Sequence, residues 1–455
     1  MKKKFLLWSN PKDALLTIVG ILLIVGLVNV YSASFVTALG SDIKGSHFAL
    51  KYAAIGFLAF IGVFVMAEGK SLKNHSLDTI AKLGSLGEVL GKFFSYKNVL
   101  KYSLLFSAIV IILLIIVLFS GEVINGARRW IRIGGVFNMQ VSEIAKLCGI
   151  IISSKILGIN LRSKERFLNV KPSMALLYAL PLLYAIIAGA LVLKEPDMGT
   201  MALIVGIVWV MYFNAGLPKR WFFGVMGLST GFFALYCWLN PTSYHIRRIQ
   251  AWIDPLNNTE TSYQAIQAIQ AIGSGGFTGR LTISEIPFLR MISDSYLNIV
   301  DKLGFGTGKL YFLPEPHTDF AFAVYSQEWG FIGALFLVIL FVLLSYSLNA
   351  IAMKARTEES FLLVTGINFF ITGQAFANMF MVTGLLPVIG VPMPFLSYGG
   401  SSLIVILASI WLAISVYNET EEFEEQELLH EKEVLENKSK IDKLPKVNGF
   451  RRWDR

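Results

Sequence analysis

Three ionisable side chains, Glu315, His317 and Asp319, fall within one short stretch, Leu313-Pro-Glu-Pro-His-Thr-Asp-Phe320. Pro314 and Pro316 forbid regular helix there. An apolar run long enough to cross a bilayer begins at Phe320. The carboxylates and the imidazole are therefore expected at the mouth of a membrane helix, where ionisable groups are functional candidates. Their chemistry would be proton transfer. Partial desolvation raises a carboxylate's proton affinity, which suits Asp319 to act as a base. The competing account is helix capping by Thr318 or Asp319, with Glu315 merely solvated.

Other chemistry-bearing residues are spread along the chain. Gly126-Ala-Arg-Arg-Trp-Ile-Arg-Ile-Gly134 carries Arg128, Arg129 and Arg132 beside Trp130. Guanidinium forks suit phosphate, whereas an Arg and Trp anchor at the membrane surface is the plainer account. Glu143 and Lys146, three apart on one helix face, form either an active-site pair or a structural ion pair. Asp197, in Lys194-Glu-Pro-Asp-Met-Gly-Thr200, is a second carboxylate and also a candidate N-cap. Ser401 and Ser402 open an apolar run after a stretch broken by Pro387, Pro392 and Pro394. Irregular backbone at membrane depth must be buried in protein or line a cavity, and the N–H groups at that helix start are expected to face it.

The elements that must position these groups are membrane helices. Of 455 residues, 55% are hydrophobic and 16% charged, against about a quarter charged in a soluble domain. The apolar runs are continuous, which points to helices rather than a barrel. Ten spans are expected, at about 14–33, 48–66, 102–120, 141–159, 173–193, 199–216, 221–239, 320–345, 361–382 and 400–417. Basic loops follow spans two, four, six and eight, so these loops and both termini are expected in the cytoplasm. The arginines at 128–132 then fall on the outer side, where topology gives no reason for them. The net charge of +9 suits anionic lipid and says nothing of nucleic acid, for which no partner role is expected. Cys148 and Cys237 have neither disulfide nor zinc spacing.

Three segments lie outside the spans. The outer loop 240–319 holds Arg247 and Arg248 and an amphipathic stretch, 262–272. Gly273, Gly275 and Gly276 follow it, and they are expected to act as a hinge that makes the loop a lid. The inner loop 67–101, with glycines at 84, 87 and 91, reads as a surface helix. The tail 418–455 reads as a charged cytoplasmic helix that frays.

Taken together these motifs resemble the SEDS family (shape, elongation, division and sporulation), of the FtsW and RodA type. The carrying residues are Gly126-Ala-Arg-Arg-Trp130, Ser142-Glu-Ile-Ala-Lys146, Glu195-Pro-Asp-Met-Gly-Thr200, Ala271-Ile-Gly-Ser-Gly-Gly276, Pro314-Glu-Pro-His-Thr-Asp-Phe320 and Gly390-Val-Pro-Met-Pro-Phe-Leu-Ser-Tyr-Gly-Gly-Ser-Ser402. They run in family order through 14–417. The resemblance implies an all-α membrane domain of about ten helices and a peptidoglycan glycosyltransferase that polymerises lipid II on the outer face. It also implies a class B penicillin-binding protein transpeptidase as partner, among other division or elongation proteins, in the bacterial cytoplasmic membrane. Asp319 matches the family's essential outer-loop aspartate. Tyr31-Ser-Ala-Ser34 and the paired arginines lean toward the division type, FtsW. This sequence departs from the pattern in the long insert 281–302, the long inner loop and tail, and Val141 in place of proline.

For that reaction Asp319 would be the base, with His317 beside it, and Arg128, Arg129, Arg132 and Lys146 would neutralise pyrophosphate. A divalent cation, Mg or Mn, is an alternative electrophile for which the sequence has no signature. Two other classes compete: a flippase for the lipid-linked precursor, which accounts equally well for the Glu143–Lys146 pair, and a non-catalytic scaffold of a division complex, which needs neither His317 nor Asp319.

Overall fold

The structure is a computed structural model that describes residues 10–40, 46–124, 127–133, 137–162, 172–217, 244–255, 259–279, 313 and 316–442, with scattered positions between 220 and 239. The helices, in order, are α1 (Pro11–Gly40), α2 (His47–Ala67), α3 (Gly69–Lys73), α4 (Asp78–Phe93), α5 (Tyr96–Lys101), α6 (Ser103–Ser120), α7 (Val141–Arg162), α8 (Pro172–Lys194) and α9 (Met198–Asn214). They continue with α10 (Tyr244–Ile253), α11 (Thr259–Gly275), α12 (Ala321–Lys354), α13 (Glu358–Asn368), α14 (Gln374–Val382) and α15 (Gly400–Asp442). Among the described residues α1, α2, α6, α12, the α13–α14 unit and α15 are long and apolar enough to cross a membrane, and α8 and α9 contain shorter apolar stretches. These helices lie at the expected spans. Span seven, 221–239, falls mostly outside the described residues, and the count of ten rests on it. Helix α15 runs through 418 unbroken, so the stretch 418–442 expected as a charged helix continues the last apolar helix.

The segment expected as an outer loop around Arg128 is instead a three-stranded antiparallel sheet: β1 (Glu122–Ile124), β2 (Ala127–Ile133) and β3 (Phe137–Gln140), in that order. Trp130 of β2 stands opposite Glu122 on one side and Gln140 on the other. Ala127 to Ile133 alternates only loosely, so pairing with its neighbours, rather than its own pattern, makes it a strand.

Helix α12 is broken at Gly330 (φ 63, ψ −163), a conformation open essentially to glycine alone. The break frees backbone donors inside an apolar protein, and they must find acceptors. Phe331 N donates to Gly276 O at 3.0 Å and Ile332 N to Phe277 O at 3.2 Å. Gln327 Nε2 donates to Ser274 Oγ at 2.9 Å. Gly275 and Gly279 let the two backbones meet, since a Cβ on Gly275 would lie 2.9 Å from Gln327 Cα. Gly275 and Gly279 supply close approach, Gly276 (φ 57) and Gly279 (φ 89) also supply positive φ, and the end of α11 is clasped onto α12. Gly330→Ala is expected to destabilise the protein by about 1–3 kcal/mol, read as a fall in thermal midpoint in detergent. The control is Gly62→Ala in α2, where an added Cβ meets nothing within 4 Å.

The inner loop is helical as expected. The glycine stripe of α4 seats it on the protein: a Cβ on Gly87 would lie 2.8 Å from Val65 Cγ1, and one on Gly91 would lie 3.2 Å from the Trp411 ring.

Candidate active site

Asp319 lies in a turn formed by 316–320, directly before α12. Helix α12 takes Phe320 as its N-cap, with no side-chain hydrogen bond there. The N-cap position expected for Thr318 or Asp319 is thus occupied by Phe320.

What holds the turn is a set of donors reaching its carbonyls from elsewhere. Tyr398 N donates to His317 O at 2.7 Å. Ser397 Oγ donates to Thr318 O at 2.6 Å. Asn378 Nδ2 donates to Asp319 O at 2.7 Å and to Val391 O at 2.6 Å. Asn29 Nδ2 donates to Ala321 O at 3.2 Å. Three carbonyls of the proline-broken turn and that of Ala321, the first residue of α12, are thus satisfied by α1, α14 and the loop 390–399, which fixes the backbone from which the Asp319 carboxylate projects. The same loop carries Phe395 in the left-handed region (φ 62), and the Tyr52 hydroxyl donates to Phe395 O. A non-glycine residue there persists only when its surroundings impose it.

Asp319 is partly exposed, whereas His317 is buried. The His317 ring packs on Phe48 and Tyr398, with centroids 5.0 and 6.0 Å away. Opposite the carboxylate stands Arg248, from α10. A Cβ on Gly390 would lie 3.4 Å from Asp319 Oδ2 and 4.0 Å from Arg248 Nη1. Carboxylate and guanidinium therefore flank one small gap, which Gly390 (φ 70) leaves open. Arg248 Nη1 also donates to Val388 O at 2.8 Å. Arg248 was visible in the long outer loop but had no spacing to single it out. Ser401 and Ser402 are buried in the first turn of α15, after the loop that clamps Asp319. Glu315 lies outside the described residues.

The arginines of the sheet divide. Arg129 Nε donates to Glu195 O at 2.7 Å and Nη2 to Pro196 O at 2.6 Å, while Nη1 lies 3.8 Å from Asp197 Oδ2. Its fork grips the α8–α9 turn. Arg128 is exposed and donates to Phe119 O at 3.1 Å, and Arg132 lies 3.5 Å from Glu122. Asp197 caps α9 as expected, Oδ1 accepting from Thr200 N at 2.9 Å, and Oδ2 accepts from Gln140 Nε2 at 3.3 Å. Gly199 then packs this turn against the loop segment that reaches Gly390, since a Cβ there would meet Val391 and Ile389.

Glu195 is buried in the same turn, and neither carboxylate oxygen has a hydrogen-bond partner. Burial first, and the Asp197 charge second, push its pKa up to about 8, against the opposing pull of Arg129. An acid whose folded pKa exceeds its unfolded value holds its proton better in the folded state. Stability is then greatest below about 4.5 and falls as pH rises toward 8. Glu195→Gln is expected to flatten that slope, measured as thermal midpoint against pH. A parallel slope in the variant would mean that another group carries it.

Glu143 and Lys146 form a fully buried pair at 2.8 Å in α7. Lys146 Nζ also donates to Gln374 Oε1 at 2.7 Å and lies 5.1 Å from the centroid of the Phe370 ring. Gln374 Nε2 donates onward to Pro392 O at 2.9 Å. The π-helical turn Phe369–Gly373 immediately precedes Gln374, and Asn378 follows one helical turn later. Gln374 and Asn378 thus hold adjacent carbonyls of the same loop, Pro392 and Val391, and connect the buried pair to the Asp319 backbone. Sequence reasoning passed over both amides, although two amides four apart in an apolar span are a readable signal.

Among the described residues no group of three or more His, Cys, Asp or Glu is gathered as metal ligands.

The model of the FtsW/RodA/SpoVE family, described as "Cell cycle protein", matches residues 78–293 and 301–422. This chain belongs to that family. The probable peptidoglycan glycosyltransferase FtsW of Geobacter sp. (strain M18) is 33% identical over 395 residues, covering 86% of this chain and 92% of the relative. Stage V sporulation protein E of Bacillus subtilis (strain 168) is 32% identical over 418 residues, 90% and 97% of the two chains. A chain in a solved peptidoglycan synthase complex, described as coordinating polymerization and crosslinking, superposes with a TM-score of 0.63 at 25% identity, covering 91% of this chain and 99% of that one. The rod shape determining protein RodA of Thermus thermophilus shares the fold, with a TM-score of 0.57 at 24% identity over 89% of this chain and 96% of RodA. The FtsW/RodA/SpoVE fold is therefore that of a multi-pass helical membrane protein.

Proposed function

We propose that this chain is a peptidoglycan glycosyltransferase that joins lipid-linked disaccharides, lipid II, into glycan strands. The observation that carries the reading is Asp319, held on an over-determined turn and facing Arg248 across the gap at Gly390. The 4-hydroxyl of one disaccharide attacks the anomeric carbon of another, the new C–O bond forms as the bond to undecaprenyl pyrophosphate breaks, and configuration inverts. Asp319 takes the hydroxyl proton. Arg248 is the nearest guanidinium to this carboxylate in the geometry above, with exposed Arg128 and Arg132 on the sheet as further anion contacts. Arg129, Asp197, Glu143 and Lys146 act by holding the frame.

The membrane domain is 14–417, catalysis is extracytoplasmic and both termini are cytoplasmic, a reading supported by the basic loops after the even spans. The division role is favoured by relatives that bear the name FtsW. A class B penicillin-binding protein transpeptidase is the partner, a reading supported by the likeness to a synthase complex that couples polymerization and crosslinking.

The test is purified protein with its transpeptidase in vesicles containing lipid II. New glycan supports the reading. Lipid II that crosses the bilayer without forming polymer would instead identify a flippase.

A further inference from the structure

The inner-face helix α4 carries three stripes. Gly84, Gly87 and Gly91 seat it on the protein. Asp78, Glu88 and Lys92 mark a polar stripe, in which Glu88 pairs with Lys92 and Lys73 at 2.7 and 2.9 Å and Asp78 with Lys82 at 2.7 Å. Leu83, Leu86, Val89, Leu90 and Phe93 make the third stripe, and all are exposed, Val89 and Phe93 by 65% and 69%. Five large apolar side chains on one arc of a sixteen-residue helix form a patch that water does not tolerate without a reason.

We propose that this stripe lies in the inner leaflet, making α4 an in-plane helix embedded at the acyl–headgroup boundary. Depth is the observation that selects lipid as the occupant. Besides its packing on α3, where a Cβ on Gly84 would lie 2.8 Å from Leu72 Cβ, α4 also packs on two spanning helices. Gly87 meets Val65, inside the apolar run of α2, and Gly91 meets Trp411, inside the apolar run of α15. Trp411 Nε1 donates to Phe94 O at 2.8 Å, just past the end of α4. The helix is thus fastened at the level where two spanning helices are still apolar. The helix it packs on, α2, likewise exposes large apolar side chains, among them Leu58, Ile61 and Phe64. Charge pairing within the polar stripe leaves apolar burial, rather than attraction to anionic headgroups, as the main term. Lys82, 77% exposed, interrupts the apolar arc between Val89 and Phe93, and its stem is long enough to carry the ammonium to the headgroups from there.

Nitroxide accessibility tests the proposal on the full chain in phosphatidylglycerol–phosphatidylethanolamine vesicles, with Cys148→Ala and Cys237→Ala as background. Labels go at Leu86→Cys and Phe93→Cys on the apolar stripe, and at Ser85→Cys and Lys92→Cys on the polar one. Each labelled protein is checked for an unchanged thermal midpoint. At 86 and 93, oxygen collisions should exceed those of an aqueous nickel chelate, corresponding to a depth of about 5–10 Å, and the order should invert at 85 and 92. Dominance of the nickel chelate at all four sites would put the stripe in the cytoplasm and overturn the proposal. Low accessibility to both probes at 86 and 93 would mean that protein covers the stripe, and would overturn it equally.

Discussion

Asp319→Asn should leave the fold standing and cut lipid II polymerisation by at least ~10², the usual cost of removing a positioned base. The structure separates the two effects. The N-cap position of α12 belongs to Phe320, one residue past Asp319, and Asn matches Asp in size and capping ability. The backbone of Asp319 is held through its carbonyl by Asn378, a contact that the substitution does not touch. Thermal midpoint and association with the transpeptidase should therefore match the parent, and turnover alone should fall. Asp319→Ala sharpens the comparison. A capping role would cost about 1 kcal/mol of stability on loss of the side-chain oxygen, whereas a base that caps nothing leaves the midpoint unchanged. Polymerisation by Asp319→Asn at the parent rate would remove Asp319 from the mechanism and leave the clamped turn without an explanation.

Much of this arrangement was legible before any coordinates. Apolar runs of spanning length report themselves, because backbone in lipid has few alternatives to helix. The Glu315–Asp319 stretch stood out because charge is rare in this chain and Pro314 and Pro316 break its start. What escaped was set by pairing across the fold. Gly330 sits shortly after Ser326-Gln-Glu328 in a span otherwise apolar and reads as ordinary helix. Only the acceptors at Gly276 and Phe277 make a break there affordable. The arginine-rich segment has too short a pattern to specify strands, and its pairing with β1 and β3 decides the matter. Arg129 was expected at a phosphate because topology gave it no other purpose. A purpose exists in the carbonyls of Glu195 and Pro196, which no spacing rule connects to residue 129. Asn29, Gln374 and Asn378 look like isolated polar residues in apolar spans, and their role appears only when the turn they hold is seen.

The second large effect is expected at Lys146. Its ammonium is fully buried between Glu143 and Gln374. Lys146→Met leaves the Glu143 charge uncompensated in an apolar interior, which typically costs about 3–5 kcal/mol. That single loss cannot tell a structural pair from a functional one. The double variant Glu143→Gln with Lys146→Met can, because removing both charges of a buried pair is often neutral or stabilising. Its thermal midpoint should return near the parent's. Polymerisation should stay depressed, because Gln374 Oε1 has lost the ammonium that orients its amide. The Gln374 amide holds Pro392 O, and the neighbouring Val391 O shares Asn378 with Asp319. A slackened loop lets the Asp319 turn wander, so the defect should fall on kcat, with KM for lipid II little changed. Asn378→Ala, which removes the donor to Asp319 O and Val391 O, should reproduce that kinetic signature with both charges intact. Full polymerisation by the stable double variant would confine Glu143 and Lys146 to packing and break the proposed link from the buried pair to the catalytic turn.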